Sequence, residues 1–128
     1  MLTFKFILNN TESVSQKKMV LRNKIEDMLN TVVRQIAFYE FEKEVHNQRK
    51  NGELSVDQIN DIWMKTQTES IGKSVNLNGN YKYFWSYIPH FIHSPFYVYA
   101  YAFGDCLVNS LYAKYESGEK NFNEKYIR

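Results

Sequence analysis

The sequence predicts an all-α fold. Two observations carry that reading. Apolar side chains recur at three- and four-residue steps along most of the chain, and helix start and stop residues bracket those runs. The 128 residues fit one domain spanning 1–128. A chain of this length can bury roughly two-thirds of its unfolded surface, enough for a core.

Residues 2–8 form a short apolar piece with no capping residue ahead of it, as if it ended a larger helix. Asn9 to Ser15 is polar and turn-like, with Thr11, Ser13 and Ser15 as candidate N-caps. One long helix is predicted from about Gln16 to Lys50. Its apolar positions are Leu21, Ile25, Met28, Leu29, Val32, Ile36 and Phe41, and Gly52 after Asn51 ends it. Such a helix is roughly 50 Å long. That exceeds the diameter of a compact domain of this size, so the helix is bent or belongs to a bigger body.

Ser55-Val-Asp-Gln58 has the spacing of a capping box and opens a helix through Ile59, Ile62, Trp63 and Thr66 that ends near Gly72. Residues 73–90 read as a structured loop, rich in Asn and then in aromatics from Tyr81 to Tyr87. Ser94-Pro95 reads as an N-cap followed by proline at the first helical position, starting a helix to about Tyr115 that stops before Gly118. The polar tail 119–128 carries Phe122, Tyr126 and Ile127 at helical spacing.

Composition excludes several classes. With 16 basic and 14 acidic residues mixed along the chain, the net charge of +2 makes no case for nucleic acid. One cysteine, Cys106, rules out an internal disulfide, suits a reducing compartment and reads as a core thiol. The N-terminus lacks the basic region and cleavage site of a signal peptide, and no apolar stretch reaches the ~18 residues that cross a bilayer. The expected location is the cytoplasm.

Trp85–Gly104 carries the chemistry. It holds two of the three histidines, both prolines and a dense set of tyrosines. Leu or Ile fills a core without a hydroxyl that needs a partner, whereas Tyr and His together can donate to a carbonyl or a developing oxyanion. On a helix, Tyr97 and Tyr101 share a face while Tyr99 points elsewhere. His90 sits just ahead of that helix, so His90, Tyr97 and Tyr101 can line one surface. Aromatic packing with incidental hydroxyls is the competing reading. His90 and His93 lie three apart, but Pro95 places the predicted helix start after them. They are not expected on one helical face, and with no third ligand nearby they read as non-ligand histidines. Arg34, Glu40, Glu42, Glu44 and His46 read as a solvated or salt-bridged face, with room for a buried ion pair at Arg34.

Two stretches give the chain a family likeness. One is Thr31-Val-Val-Arg-Gln-Ile-Ala-Phe-Tyr-Glu-Phe-Glu42. The other is Ile88-Pro-His-Phe-Ile-His-Ser-Pro-Phe-Tyr-Val-Tyr-Ala-Tyr-Ala-Phe-Gly104. With the turn Asn51-Gly-Glu-Leu-Ser55 between them, residues 1–118 resemble the C-terminal part of the oligoendopeptidase F family, zinc peptidases of the thimet-oligopeptidase group. The resemblance implies an all-helical body with a deep channel. Zinc is held there by the two histidines of H-E-x-x-H and by a glutamate on a following helix. A downstream histidine and tyrosines bind substrate and stabilise the tetrahedral intermediate.

Carried over by motif, His90 and Tyr97 are the catalytic candidates, and His93, Tyr99 and Tyr101 the substrate-binding ones. The choice among the three tyrosines stays open. The zinc motif is absent, so the chain reads as a helical fragment of a larger thimet-oligopeptidase-like catalytic domain, starting at an internal methionine. Alone it is expected to bind no Zn2+ and to be inactive. The implied partners are short peptides and an upstream polypeptide that carries the zinc site, with no nucleic acid and no membrane. The alternative is a non-catalytic helical binding or scaffold module.

Overall fold

A computed structural model describes residues 2–72 and 75–127. Residues 73–74 of the expected loop lie outside the described residues, as do Met1 and Arg128. Every regular element is helical, and no strand occurs among the described residues. No helix among them is long and apolar enough to cross a membrane.

Helix α1 (Leu2–Asn10) ends where two side chains cap their own helix. Asn10 Nδ2 donates to the Phe6 carbonyl at 2.8 Å and Thr11 Oγ1 to that of Ile7 at 2.7 Å. Of the three candidate N-caps, Ser13 has the extended backbone that precedes α2 (Val14–Met28). The helix then runs unbroken through a π-helical stretch, Leu29–Val33, into α3 (Arg34–Arg49). At about 1.5 Å per residue this rod is about 54 Å long. Positive φ at Gly52 (+141°) and Gly72 (+75°) turns the chain out of α3 and α4 by backbone conformations that a Cβ disfavours.

Helix α4 (Val56–Ile71) opens on the expected capping box. Ser55 Oγ accepts from Gln58 N at 3.3 Å, and Gln58 Oε1 accepts from Ser55 N at 2.8 Å. The aromatic run of the expected loop is a 3-10 helix, Gly79–Tyr87. It is followed by the single turn α5 (His90–His93), α6 (Tyr99–Glu116) and α7 (Phe122–Ile127).

The core lies at one end of the rod. It is built from Phe38 and Phe41 of α3, Ile62 and Trp63 of α4, and Ile88 and Val98 of the segment between the 3-10 helix and α6. The rings meet edge to face, which suits their quadrupoles: Phe41–Trp63 at 5.1 Å and Phe38–Phe91 at 5.6 Å. The indole N–H groups are also satisfied. Trp63 Nε1 donates to the Tyr81 carbonyl at 3.0 Å and Trp85 Nε1 to Asn60 Oδ1 at 2.8 Å. These bonds let Trp63 be fully and Trp85 partly buried.

The other end is only thinly covered: α6 meets the π-helical stretch, yet no residue of α2 or of that stretch is buried. Of the predicted stripe, Phe41 is buried, whereas Leu21, Ile25, Met28, Leu29 and Ile36 are exposed. The accessible surface is 9760 Å² for a mass of 15.3 kDa. A compact monomer of that mass shows about 7,100 Å². The surplus of roughly 2,600 Å² is the size of an obligate interface.

Candidate active-site wall on the 88–101 segment

Three apolar side chains plug this segment into the core: Ile88, Phe91 and Val98, of which Val98 is 0% exposed. Polar and phenolic residues alternate with these plugs and are turned outward. Pro89 starts the turn, its carbonyl accepting from Ile92 N at 3.1 Å and His93 N at 2.9 Å. His90 and His93 therefore do share one helical turn, contrary to the sequence expectation. Ser94-Pro95 does not start a helix. Tyr97 N donates to the Ser94 carbonyl at 3.1 Å in a turn, Phe96 takes φ +60°, and α6 begins only at Tyr99.

The turn brings His90, Tyr97 and Tyr101 together. The His90 and Tyr97 rings are stacked 5.9 Å apart and inclined by only 6°. Tyr101 stands edge-on to both, at 5.8 Å from His90 and 5.6 Å from Tyr97. His90 Nε2 and Tyr101 Oη are 3.1 Å apart. If Tyr101 donates to Nε2, the Nδ1–H of His90 stays free. If Nε2–H donates to the phenol oxygen, the Tyr101 hydroxyl hydrogen stays free. Either tautomer leaves one donor for a ligand, and the Tyr97 hydroxyl is a second. Tyr97 is 51% and Tyr101 36% exposed, so both are within reach of a bound molecule. Tyr99 and His93 are exposed and stand outside this cluster.

The charged neighbourhood of Glu42 predicts a solvated or salt-bridged side chain, but only 3% of it is exposed. Its Oε1 accepts from the backbone N–H of Phe96 at 2.6 Å, bridging 54 residues of chain. The sequence carried a signal for this: Glu42 falls four residues after Phe38 and three before Val45, on the core-facing stripe of α3. A bulky residue at positive φ costs about 1–2 kcal/mol. Phe96 is held there by the Glu42 bond and by its ring against His46, with centroids 4.6 Å apart.

Two further expectations are corrected. Arg34 is exposed, with its guanidinium 5.3 Å above the Phe38 ring, and forms no buried ion pair among the described residues. Cys106 is an exposed thiol on α6 rather than a core one. A cavity of about 450 Å³ beside the π-helical stretch is lined by Leu29, Val33, Arg34, Gln67, Ile71 and Tyr81, and none of its lining belongs to the His90 cluster. Burial pushes the Tyr81 phenol up from its ordinary pKa, and its hydroxyl donates to Gln67 Oε1 at 3.4 Å.

A catalytic or structural zinc needs at least three protein ligands. Among the described residues, no group of three or more His, Cys, Asp or Glu side chains is placed to hold a metal. Glu42, the most buried carboxylate near the wall, is committed to a backbone N–H. The residues described do not fit the zinc that the resemblance implies.

The sequence matches the family model of peptidase family M3 over residues 1–127. It is 29% identical over 123 residues to the oligopeptidase PepF of Bacillus subtilis (strain 168), covering 95% of this chain and 18% of that protein. It is 31% identical over 124 residues to an oligoendopeptidase F homolog of Borreliella burgdorferi, covering 96% and 21%. The plasmid oligoendopeptidase F of Lactococcus lactis subsp. cremoris is 28% identical over 122 residues, covering 94% and 20%. The chain thus spans about a fifth of the length of the curated relatives it matches. No solved structure matches it. The match runs along nearly the whole chain, through both the rod and the His90 turn, and the chain belongs to peptidase family M3.

Proposed function

We propose that this chain supplies the substrate-binding wall of an M3 peptidase acting on short peptides. The metal-binding segment of that enzyme is not among the described residues. The observation that carries the reading is the His90–Tyr97–Tyr101 cluster, which presents two free donors on a surface anchored from behind by Phe91 and Val98. His90 and Tyr97 hydrogen-bond the scissile carbonyl oxygen and gain strength as negative charge develops on it. Tyr101 fixes the orientation of the His90 ring, and its edge-on contact with Tyr97 keeps that ring stacked. Tyr99 and His93 serve as peripheral contacts to the peptide. The bare half of the long helix is the seat for the remainder of the enzyme, so the isolated chain cleaves no peptide.

The test is complementation. The chain is mixed or co-expressed with the part of a relative that precedes the matched region, and cleavage of a fluorogenic short peptide is followed. Activity should appear only in the mixture. In that mixture His90→Ala and Tyr97→Phe should each lower turnover by about 100- to 1000-fold with bound zinc unchanged, since that is the usual cost of losing one oxyanion donor. Tyr99→Phe should stay near wild type. Wild-type turnover in both His90→Ala and Tyr97→Phe would reduce the cluster to aromatic packing and favour a non-catalytic module.

A further inference from the structure

Glu42 stands apart among the carboxylates of the long helix. Glu40 faces solvent and pairs with Lys43 at 3.0 Å. Glu42 points inward and carries no ion pair among the described residues. One of its oxygens takes the Phe96 N–H, and the other is buried with no hydrogen-bond partner among the described residues. As a stability device this is poor, because a buried carboxylate with one unmet oxygen is often no better than an apolar side chain of the same size. As a positioning device it is well placed. Phe96 immediately precedes Tyr97, whose ring stacks on His90, and its φ of +60° is a conformation that the local sequence does not favour.

We propose that Glu42 is a positioning residue for the wall. Its carboxylate pins the strained Phe96 turn, and through that turn it sets where Tyr97 stands relative to His90. The functional meaning rests on the proposed substrate wall, but the pinning does not, and it is read without substrate. Backbone amides held by a charged acceptor exchange slowly with solvent, because the hydrogen bond must open first.

The experiment is hydrogen exchange by mass spectrometry on the whole 128-residue chain, paired with urea unfolding. Three substitutions are compared. E42L keeps apolar volume and removes the acceptor; E42Q keeps a neutral acceptor; F96G, made in the E42L background, removes the penalty on positive φ. In E42L the amides of 94–98 should exchange about ten- to a hundredfold faster, while α3 and α4 keep their protection and the unfolding midpoint holds or rises. E42Q should restore most of the protection. F96G in the E42L background should restore part of it. Wild-type exchange at 94–98 in E42L would overturn the proposal. So would faster exchange throughout α3 and α4, which would make Glu42 a general core residue, or loss of protection in E42Q. If the pinning holds but His90→Ala leaves the complemented enzyme fully active, the substrate-wall reading fails and the pinning stands.

Discussion

The two halves of the long helix carry the same apolar periodicity and meet different fates. From Ala37 to Glu42, four residues are buried against α4 and the 88–98 segment. From Val14 through Val33 none is, although Leu21, Ile25, Met28 and Leu29 keep the same three- and four-residue steps. Periodicity thus announces a face and says nothing of whether the partner lies on the same chain. The covered half has its partner within the next 60 residues of sequence. The bare half and α6 both expose large apolar side chains, among them Met28, Leu29, Phe103 and Leu107.

The contrast is broken most forcefully at the covered half. Trp63→Ala and Phe41→Ala should each cost about 3–5 kcal/mol, the usual range for emptying a large aromatic site. On a chain of this size that is a large part of the total stability. Leu29→Ala and Ile25→Ala, equally apolar but exposed, should each cost no more than about 0.5 kcal/mol. Urea unfolding of the four variants is the measurement. With the chain dilute enough to be monomeric, a Leu29→Ala cost near that of Phe41→Ala would mean that the bare half is covered within one copy, and the comparison would collapse.

A second measurement sharpens it. Exposed apolar patches of this extent promote association. The chain should therefore bind a hydrophobic dye and sediment above its monomer mass. Placing lysines at Ile25 and Leu29 should lower dye fluorescence several-fold and return the mass toward 15.3 kDa. In the complemented enzyme the same pair should cut activity by weakening assembly, leaving turnover per assembled complex unchanged. A wild-type chain that sediments as a sharp monomer and takes up no dye would contradict this.

What was legible in the sequence follows the same division. Several local signals hold. The Ser55–Gln58 box forms both of its hydrogen bonds, and Gly52 and Gly72 end their helices. The meeting of His90, Tyr97 and Tyr101 followed from spacing and motif, yet by a different backbone from the one expected. The predicted helix start at Ser94-Pro95 does not form: Phe96 stands at φ +60°, and its N–H is bound by a carboxylate 54 residues away. No local propensity contains that bond. The π-helical stretch at Leu29–Val33 was equally invisible, since the apolar steps pass through it unchanged. Glu42 departs from its neighbours because position outweighs charge: its neighbours are charged, but its place on the helix is a core place.

The smallest expected effect lies at the far end of α6. Lys5 of α1 is ion-paired with Glu116, which also accepts from the Tyr112 hydroxyl at 3.0 Å. Glu119 accepts from Lys125 at 2.7 Å and from Lys114 at 3.1 Å. The Lys5 hydrogen bond holds the Glu116 carboxyl below its ordinary value of 4.5, and Lys125, then Lys114, do the same for Glu119. A carboxyl lowered by folding adds stability above its ordinary pKa, and that contribution is lost as pH falls through the lowered value. Lys5 is raised above 10.5, chiefly by its bond to Glu116, so its share is lost as pH climbs through the raised value. The pin between α1 and α6 therefore has its full strength between roughly pH 5 and 10. All these groups face water, where exposed ion pairs contribute little. Acidification from pH 6 to pH 3 should loosen residues 2–10 and 119–127, read as hydrogen exchange corrected for intrinsic rate, before it loosens α3 or α4. Glu116→Gln should remove most of that pH dependence at α1 and leave the Trp63 core untouched. Equal loosening of the core in the same acid range would place the sensitive carboxylates in the covered half instead.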